Sequence, residues 1–270
     1  MKFFEGCTTL ITGASSGLGT EFARQLAPYA RTLVLVARRV DRLEDLAASL
    51  RATQPGIDVR IYVADLALEQ KRVDLAEWLT SEKIPVDFLV NNAGLGDHGA
   101  FDLSQWDRVR QMLDVNISAL THLTHLLVPG MLKVGRAAVL NVSSVASFFP
   151  LPNMAVYSAT KAYVTSFSEA IAMELRPKGI TVTALCPGPV PTEFFDVATR
   201  SGDEHLTSHF KTFPAFVVSA PEAVAAGLDA VARDRARVIP GPLLAAAVAV
   251  ALVVPFFIIR RILRSQAASL

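Results

Sequence analysis

The chain predicts one α/β domain, and three observations carry that expectation. Its 270 residues are 51% apolar, enough to enclose a single large core. Short apolar and β-branched runs alternate with longer stretches of helical periodicity, the pattern of a layered α/β sheet. Between the first apolar run and the first helical stretch stands GASSGLG, Gly13 to Gly19, a glycine turn at a strand end.

Thr8 to Thr12 is the first predicted strand, and a helix is expected from Glu21 to Tyr29. Gly13, Gly17 and Gly19 make G-x-x-x-G-x-G, which differs in spacing from G-x-G-x-x-G but serves the same physics. Glycines admit a pyrophosphate close to the backbone, and the following helix N-terminus offers free N–H groups. A glycine turn without a ligand is the plainer alternative. Thr32 to Ala37 is the second strand, followed by Arg38, Arg39 and a helix with Asp41 as N-cap and Leu43, Leu46 and Leu50 on one face. At this strand end a Rossmann fold meets the adenosine ribose: an acidic residue takes the 2′-hydroxyl of NAD, an arginine the 2′-phosphate of NADP. Ala37 and Arg38 therefore favour NADP over the blander reading of two arginines solvating a loop.

Asp58 to Val63 is the third strand, with Asp65 beyond it to meet adenine or to cap the next helix, Leu68 to Glu82. Val86 to Val90 is the fourth and runs into Asn91-Asn92-Ala93-Gly94, where small residues let a ribose pack on the backbone or simply make a turn. A long helix from Ser104 to about Leu127 carries Asn116 mid-length, where its propensity is poor and a bend or a hydrated site is expected. His122 and His125 lie on this helix without a third ligand at metal spacing, so no metal site is expected.

Ala137 to Val142 is the fifth strand, with Ser144 just past its end. Tyr157 and Lys161 then stand at i and i+4 on a helix that runs to Leu175. A free phenol, with a pKa of about 10, is a sluggish acid-base group at neutral pH, and a fixed cation beside it makes it useful. An ordinary amphipathic pair is the alternative. Thr181 to Cys186 is the sixth strand, followed by PGPVPTEF, in which Pro187, Gly188, Pro189 and Pro191 impose a rigid turn and Thr192 offers a hydroxyl to a phosphate or to the next helix. Residues 193 to 218 lack strong periodicity and predict a flap over a pocket. Its Phe194, Phe195, Phe210, Phe213 and Phe216 would line that pocket or fill core. Pro221 to Ala232 and Arg237 to Ile239 close the pattern as a last helix and a seventh strand.

Taken together these residues resemble the short-chain dehydrogenase/reductase family from about Thr8 to Ile239. TGASSGLG, NNAG, Asn116, Ser144, YSATK and PGPVPT occur in that family's order and approximate spacing. The resemblance implies a single Rossmann-like domain, residues 1–240, with a doubly wound parallel sheet of about seven strands and helices on both faces. It implies Tyr157 as general acid in reduction, Lys161 lowering its pKa and binding the nicotinamide ribose, Ser144 bonded to the substrate carbonyl, and Asn116 in a water-linked proton relay. It further implies that Gly13, Ser15, Ser16, Gly17, Leu18 and Gly19 hold the cofactor phosphates, Arg38 and Arg39 the 2′-phosphate, and Asp65 and Leu66 the adenine. Asn92, Ala93 and Gly94 would meet the ribose, and Pro187, Gly188, Val190 and Thr192 the nicotinamide side. Ser16 stands where the family often has a basic residue, so the NADP(H) expectation rests mainly on Arg38.

A net charge of +1 supplies no global basic field, so no nucleic-acid partner is expected. Cys7 and Cys186 lack disulfide or metal spacing, and MKFFEG enters the first strand without a secretory leader, so a cytoplasmic location is expected. The tail, 241–270, is less typical: Leu243 to Ile259 carries no charge and is followed by Arg260, Arg261 and Arg264. As a helix it would be about 25 Å long, short of a hydrocarbon core of about 30 Å. A membrane-surface contact through 243–264 or a hydrophobic cap is the preferred expectation, ahead of burial in an interface or over the pocket, and of a full span. The expected activity is NADPH-dependent, reversible reduction of a small apolar or lipid-like carbonyl, in a homodimer. A non-catalytic nucleotide-binding or membrane-scaffold protein is the alternative, and an intact Asn, Ser, Tyr and Lys set argues against it.

Overall fold

The computed structural model describes residues 1–198 and 214–267. Seven strands, β1 (Thr8–Thr12), β2 (Thr32–Ala37), β3 (Asp58–Val63), β4 (Phe88–Asn91), β5 (Ala137–Val142), β6 (Ile180–Leu185) and β7 (Arg237–Val238), form one sheet in the order 3-2-1-4-5-6-7. Every pairing is parallel. The central strands are buried along their whole length, because runs such as TLVLVA and AAVLNV present apolar side chains to both faces.

Helices cover both faces. On one side α1 (Gly17–Leu26), α2 (Val40–Thr53) and α8 (Ala220–Ala232) close a core containing Phe4, Phe22, Leu43, Phe88 and Leu228. On the other, α3 (Glu69–Ser81), α5 (Leu120–Met131) and α6 (Ala155–Leu175) close over Leu10, Leu75, Leu89 and Leu123. Each such side chain, removed from water, contributes roughly 1.5–3 kcal/mol before the entropy of ordering is subtracted. The chain reverses its winding between β1 and β4, which opens a crevice at the carboxyl ends of those strands.

Several boundaries differ from expectation. Helix α1 starts at Gly17, four residues before Glu21, so the glycine turn leads directly into its first turn. The N-cap of α2 is Arg39 and not Asp41, which lies in the first turn, where an acidic residue meets the positive end of the helix dipole. Asp65 does not cap α3, whose N-cap is Leu68; its carboxylate accepts from the Ala67 N–H at 3.0 Å and folds the loop instead. The long helix expected from Ser104 to Leu127 is α4 (Trp106–Leu113), a π-helical segment (Asp114–Ala119) and α5. The π segment contains Asn116. Of the expected flap, α7 (Glu193–Ala198) and a short turn at Pro214–Phe216 are described, whereas Phe210 and Phe213 lie outside the described residues.

The apolar tail is not one helix. It breaks at Val254–Pro255 into α9 (Pro242–Val253) and α10 (Phe256–Ala267), because proline cannot continue the preceding hydrogen-bond ladder. Among the described residues no helix is long and apolar enough to cross a membrane.

Candidate active site

The crevice is a cavity of about 430 Å³ that runs from the glycine turn to Tyr157, within the range of roughly 300–1,000 Å³ usual for ligand pockets. Of the residues expected to hold the cofactor or to act in catalysis, all but Gly19 and Asn116 line it. Those two act from behind. A Cβ on Gly19 would lie 2.2 Å from the Gly13 carbonyl oxygen, so only glycine lets α1 approach the turn this closely. Gly13 has φ +65°, and its missing Cβ would stand 2.9 Å from the Ala93 Cα. The bare backbone of this cradle fits a dinucleotide pyrophosphate.

Thr12, which sequence reasoning overlooked, joins the two loops of the cradle. Its Oγ1 accepts from the N–H groups of Asn92 at 2.9 Å and Ala93 at 3.0 Å and donates to the Val90 carbonyl. Asn92 returns two bonds through Nδ2, to the carbonyls of Thr12 and Gly13. The Asn92 amide therefore braces the glycine turn, and what it shows the cavity is its edge. A β-branched hydroxyl ending the first strand was the available signal.

Beside the glycine turn, Arg39 donates to the Ser15 hydroxyl and carbonyl and to Glu193, which also takes Arg42. Arg38 lines the mouth of the cavity and is exposed, with no hydrogen bond or ion pair among the described residues. Buried Arg72 holds the loop of Asp65 and Leu66: its Nη1 donates to the Leu66 carbonyl at 2.7 Å, and its Nε to His122 Nδ1 at 3.1 Å. His122 thus has a structural partner.

At the opposite end, β5 delivers Ser144 and α6 delivers Tyr157 and Lys161. Ser144 accepts from the Ala146 N–H at 3.1 Å, and its hydroxyl shares a hydrogen bond with the Tyr157 phenol. Ser143 Oγ donates to the Lys161 carbonyl at 2.9 Å and pins α6 to the strand end. The Lys161 ammonium donates to the Val142 carbonyl at 2.9 Å and stands 5.7 Å from the centre of the Tyr157 ring. Burial pushes the phenol up to about 12, against a smaller opposing effect of the Ser144 bond. Burial likewise brings Lys161 down to about 8. The expected lowering of Tyr157 by Lys161 is therefore not the dominant effect: desolvation outweighs it, with the ammonium directed at a carbonyl.

Asn116 is held by three hydrogen bonds. Its Oδ1 accepts from the Leu95 N–H, and its Nδ2 donates to the Leu95 carbonyl and to Thr160 Oγ1, all within 2.8–3.0 Å. The π segment turns this side chain to the loop after β4, and its Oδ1 and Lys161 Nζ flank Gly94, at 3.5 and 3.4 Å from a Cβ placed there.

The wall beside Tyr157 is apolar. Leu95, Ala146, Leu151, Met154 and Phe194 line it, and the Phe194 ring lies 5.6 Å from that of Tyr157. Of FFPLP after Ser144 only Leu151 takes part; Phe148 instead lies under the Arg237 guanidinium. Tail residue Leu244 packs behind Gly188, outside the cavity.

The family model for short chain dehydrogenases matches residues 7–201. A very-long-chain 3-oxoacyl-CoA reductase from Anas platyrhynchos is 30% identical over 74% of this chain, and the match spans 64% of that protein's length. A short-chain dehydrogenase from Sphingobium yanoikuyae in complex with NADPH superposes with a TM-score of 0.78 at 34% identity, covering 91% of this chain and 92% of that one. A short chain dehydrogenase/reductase from Burkholderia phymatum in complex with NAD gives 0.79 at 28% identity, covering 92% and 93%. With the parallel sheet, the glycine cradle and the Ser-Tyr-Lys cluster, these matches place the chain in the short-chain dehydrogenase/reductase family of NAD(P)-dependent oxidoreductases.

Proposed function

We propose that the chain is an NADPH-dependent carbonyl reductase, running reversibly as an alcohol dehydrogenase, on an apolar or lipid-like substrate. The observation that carries this reading is the convergence of Ser144, Tyr157 and Lys161 on one end of a cavity whose other end is a glycine cradle. NADPH is favoured by Arg38, whose exposed guanidinium at the adenosine end has no partner among the described residues. The apolar wall of Leu95, Leu151, Met154 and Phe194 favours a hydrocarbon substituent on the carbonyl. The acyl substrate named for the Anas platyrhynchos relative is of that class.

Bound NADPH supplies a hydride to the carbonyl carbon. Tyr157 gives its phenolic proton to the carbonyl oxygen, and the product is an alcohol. A phenol held near 12 keeps its proton at neutral pH, which suits the reductive direction. Ser144 orients the oxygen by a second hydrogen bond, from the hydroxyl that already meets Tyr157. Lys161, still charged at neutral pH though lowered to about 8, stabilises the phenolate left behind and returns a proton toward it. Asn116 holds the Leu95 loop and with it the route by which Lys161 is recharged.

Tyr157→Phe tests the mechanism. NADPH binding, followed by fluorescence, should stay within about twofold of wild type, and turnover with an aliphatic ketone panel should fall by roughly 10²–10⁴. Unchanged turnover removes the phenol from the reaction, and absence of binding to both NADPH and NADH removes the enzyme reading altogether.

The tail extends the proposal to a membrane surface. Helix α9 leaves Leu243, Val250 and Val253 exposed, and α10 adds exposed Phe257 and Ile258 beside Arg260, Arg261 and Arg264. No acidic residue occurs from 241 to 270. Apolar side chains rimmed by arginines suit the interface of an anionic bilayer. Leu244, at the root of α9, abuts pocket-lining Gly188, so this contact would set the cavity close to a lipid substrate.

A further inference from the structure

Helix α7 crosses the cavity as a strap with a fastening at each end. At its far end Arg108 donates to the carbonyls of Val197 and Ala198, and the His98 N–H donates to Ala198 as well. Arg108 is itself paired with buried Asp97 at 2.9 Å. In the middle, Phe194 packs on the Tyr157 ring and closely over Gly96. At the near end Glu193, the first residue of α7 and the neighbour of pocket-lining Thr192, reaches across to the turn between β2 and α2. There Oε2 pairs with Arg39 Nη1 at 3.2 Å and Oε1 with Arg42 Nη1 at 2.5 Å. The two guanidiniums hold its carboxyl below the ordinary glutamate range.

One anion thus satisfies two cations beside the place where the proposed cofactor carries its 2′-phosphate. Arg39 also reaches Ser15 in the glycine turn, so Glu193 and the cradle share a guanidinium. Arg38 alone of the three arginines is uncommitted among the described residues. A phosphate arriving at Arg38 lies next to Arg39, and as a dianion it is the stronger partner for a bidentate guanidinium. It would also repel the carboxylate that it displaces.

We propose that Glu193 is a latch whose carboxylate competes with a cofactor 2′-phosphate for Arg39, so that NADPH, and not NADH, releases the near end of the strap. The inference rests on the NADPH reading above and deepens it: Glu193 becomes a positioning residue that sets the discrimination between the two cofactors. The phosphate must displace this carboxylate before it can be held by Arg39, which lines the cavity beside Arg38. NADH, with a 2′-hydroxyl, leaves the latch fastened.

The latch makes a prediction opposite in sign to that of a residue that helps to build the phosphate site. Replacing Glu193→Gln keeps the shape and removes the competing charge. Half-exposed ion pairs contribute only about 0–1 kcal/mol each, so two of them support a change of about three- to tenfold. Equilibrium titration of wild type and E193Q with NADPH, NADH, adenosine 2′,5′-bisphosphate and AMP provides the test. E193Q should bind NADPH and the bisphosphate three- to tenfold more tightly, with NADH and AMP unchanged within twofold. Unchanged NADH affinity also shows that the variant is folded. If E193Q weakens NADPH, or shifts NADPH and NADH alike, Glu193 is not a latch. If wild type binds NADH but neither phosphate-bearing ligand, the NADPH reading itself fails and takes the latch with it, whereas tight NADPH binding with no response to E193Q overturns the latch alone.

Discussion

Tyr157 and Lys161 show why identity and behaviour are separate questions. The i, i+4 spacing was enough to put both on one face of α6, and both do line the cavity. Their protonation depends on burial that no spacing reveals. Lys161 titrates at about 8 against an ordinary 10.5, so between those values the unfolded chain binds a proton that the folded protein does not. Its contribution to stability therefore rises with pH across that window, and below about pH 8 the folded state carries the full cost of a buried ammonium. The shift corresponds to about 3 kcal/mol at most. Lys161→Met should gain stability relative to wild type at pH 7, with the advantage shrinking toward pH 10; urea unfolding at several pH values measures it, and a pH-independent difference would show that the ammonium is not desolvated. Above pH 10 Tyr157 acts in the opposite sense, because its raised pKa makes the folded state the better proton binder.

Among elements, the glycine turn with α1 was the most legible. Three glycines at a strand end marked it, yet their individual reasons emerged only in three dimensions. Gly13 needs its positive φ, whereas Gly19 needs the absence of a Cβ that would meet the Gly13 carbonyl at 2.2 Å and the Asn92 amide at 2.6 Å. Gly19→Ala should destabilise the fold by about 1–3 kcal/mol through overpacking and weaken NADPH at least tenfold by displacing the cradle. Gly130→Ala in α5, where a Cβ meets nothing within 4 Å, is the control and should be neutral to slightly stabilising. Equal losses in both, by thermal melts and NADPH titration, would refute the close-packing account. The π segment was the least legible element. Asn116 was conspicuous as a poor helix former, but its partners Leu95 and Thr160 lie 21 and 44 positions away, beyond the reach of local pattern.

At the scale of the whole molecule, the sheet joins two functions at opposite ends of one crevice and leaves the tail outside it. The tail contributes Leu244 and Val248 to the body and exposes most of its other large side chains. If α9 and α10 lie on an anionic bilayer, replacing Arg260, Arg261 and Arg264 together by glutamate should reduce binding to phosphatidylserine-containing vesicles by roughly a hundredfold, at about 1 kcal/mol per arginine. NADPH binding should not change. Sedimentation with vesicles reads the loss, and gel filtration of both proteins distinguishes the competing occupant, a second copy of the chain, which would appear as a change of oligomeric state without vesicle binding.

The sequence by itself determined the α/β alternation and, through its family resemblance, the parallel sheet and a set of site residues of which all but Gly19 and Asn116 line the cavity. The alternation follows from periodicity, which acts over a few residues, and the site residues from motifs whose order and spacing resemble those of the family. Only the tertiary structure decided that Thr12 and Asn92 brace the glycine turn, that desolvation governs Tyr157 and Lys161, and that Glu193 meets Arg39 and Arg42 from more than 150 positions away. Such contacts depend on which strand ends the fold brings together, and local pattern carries no record of that.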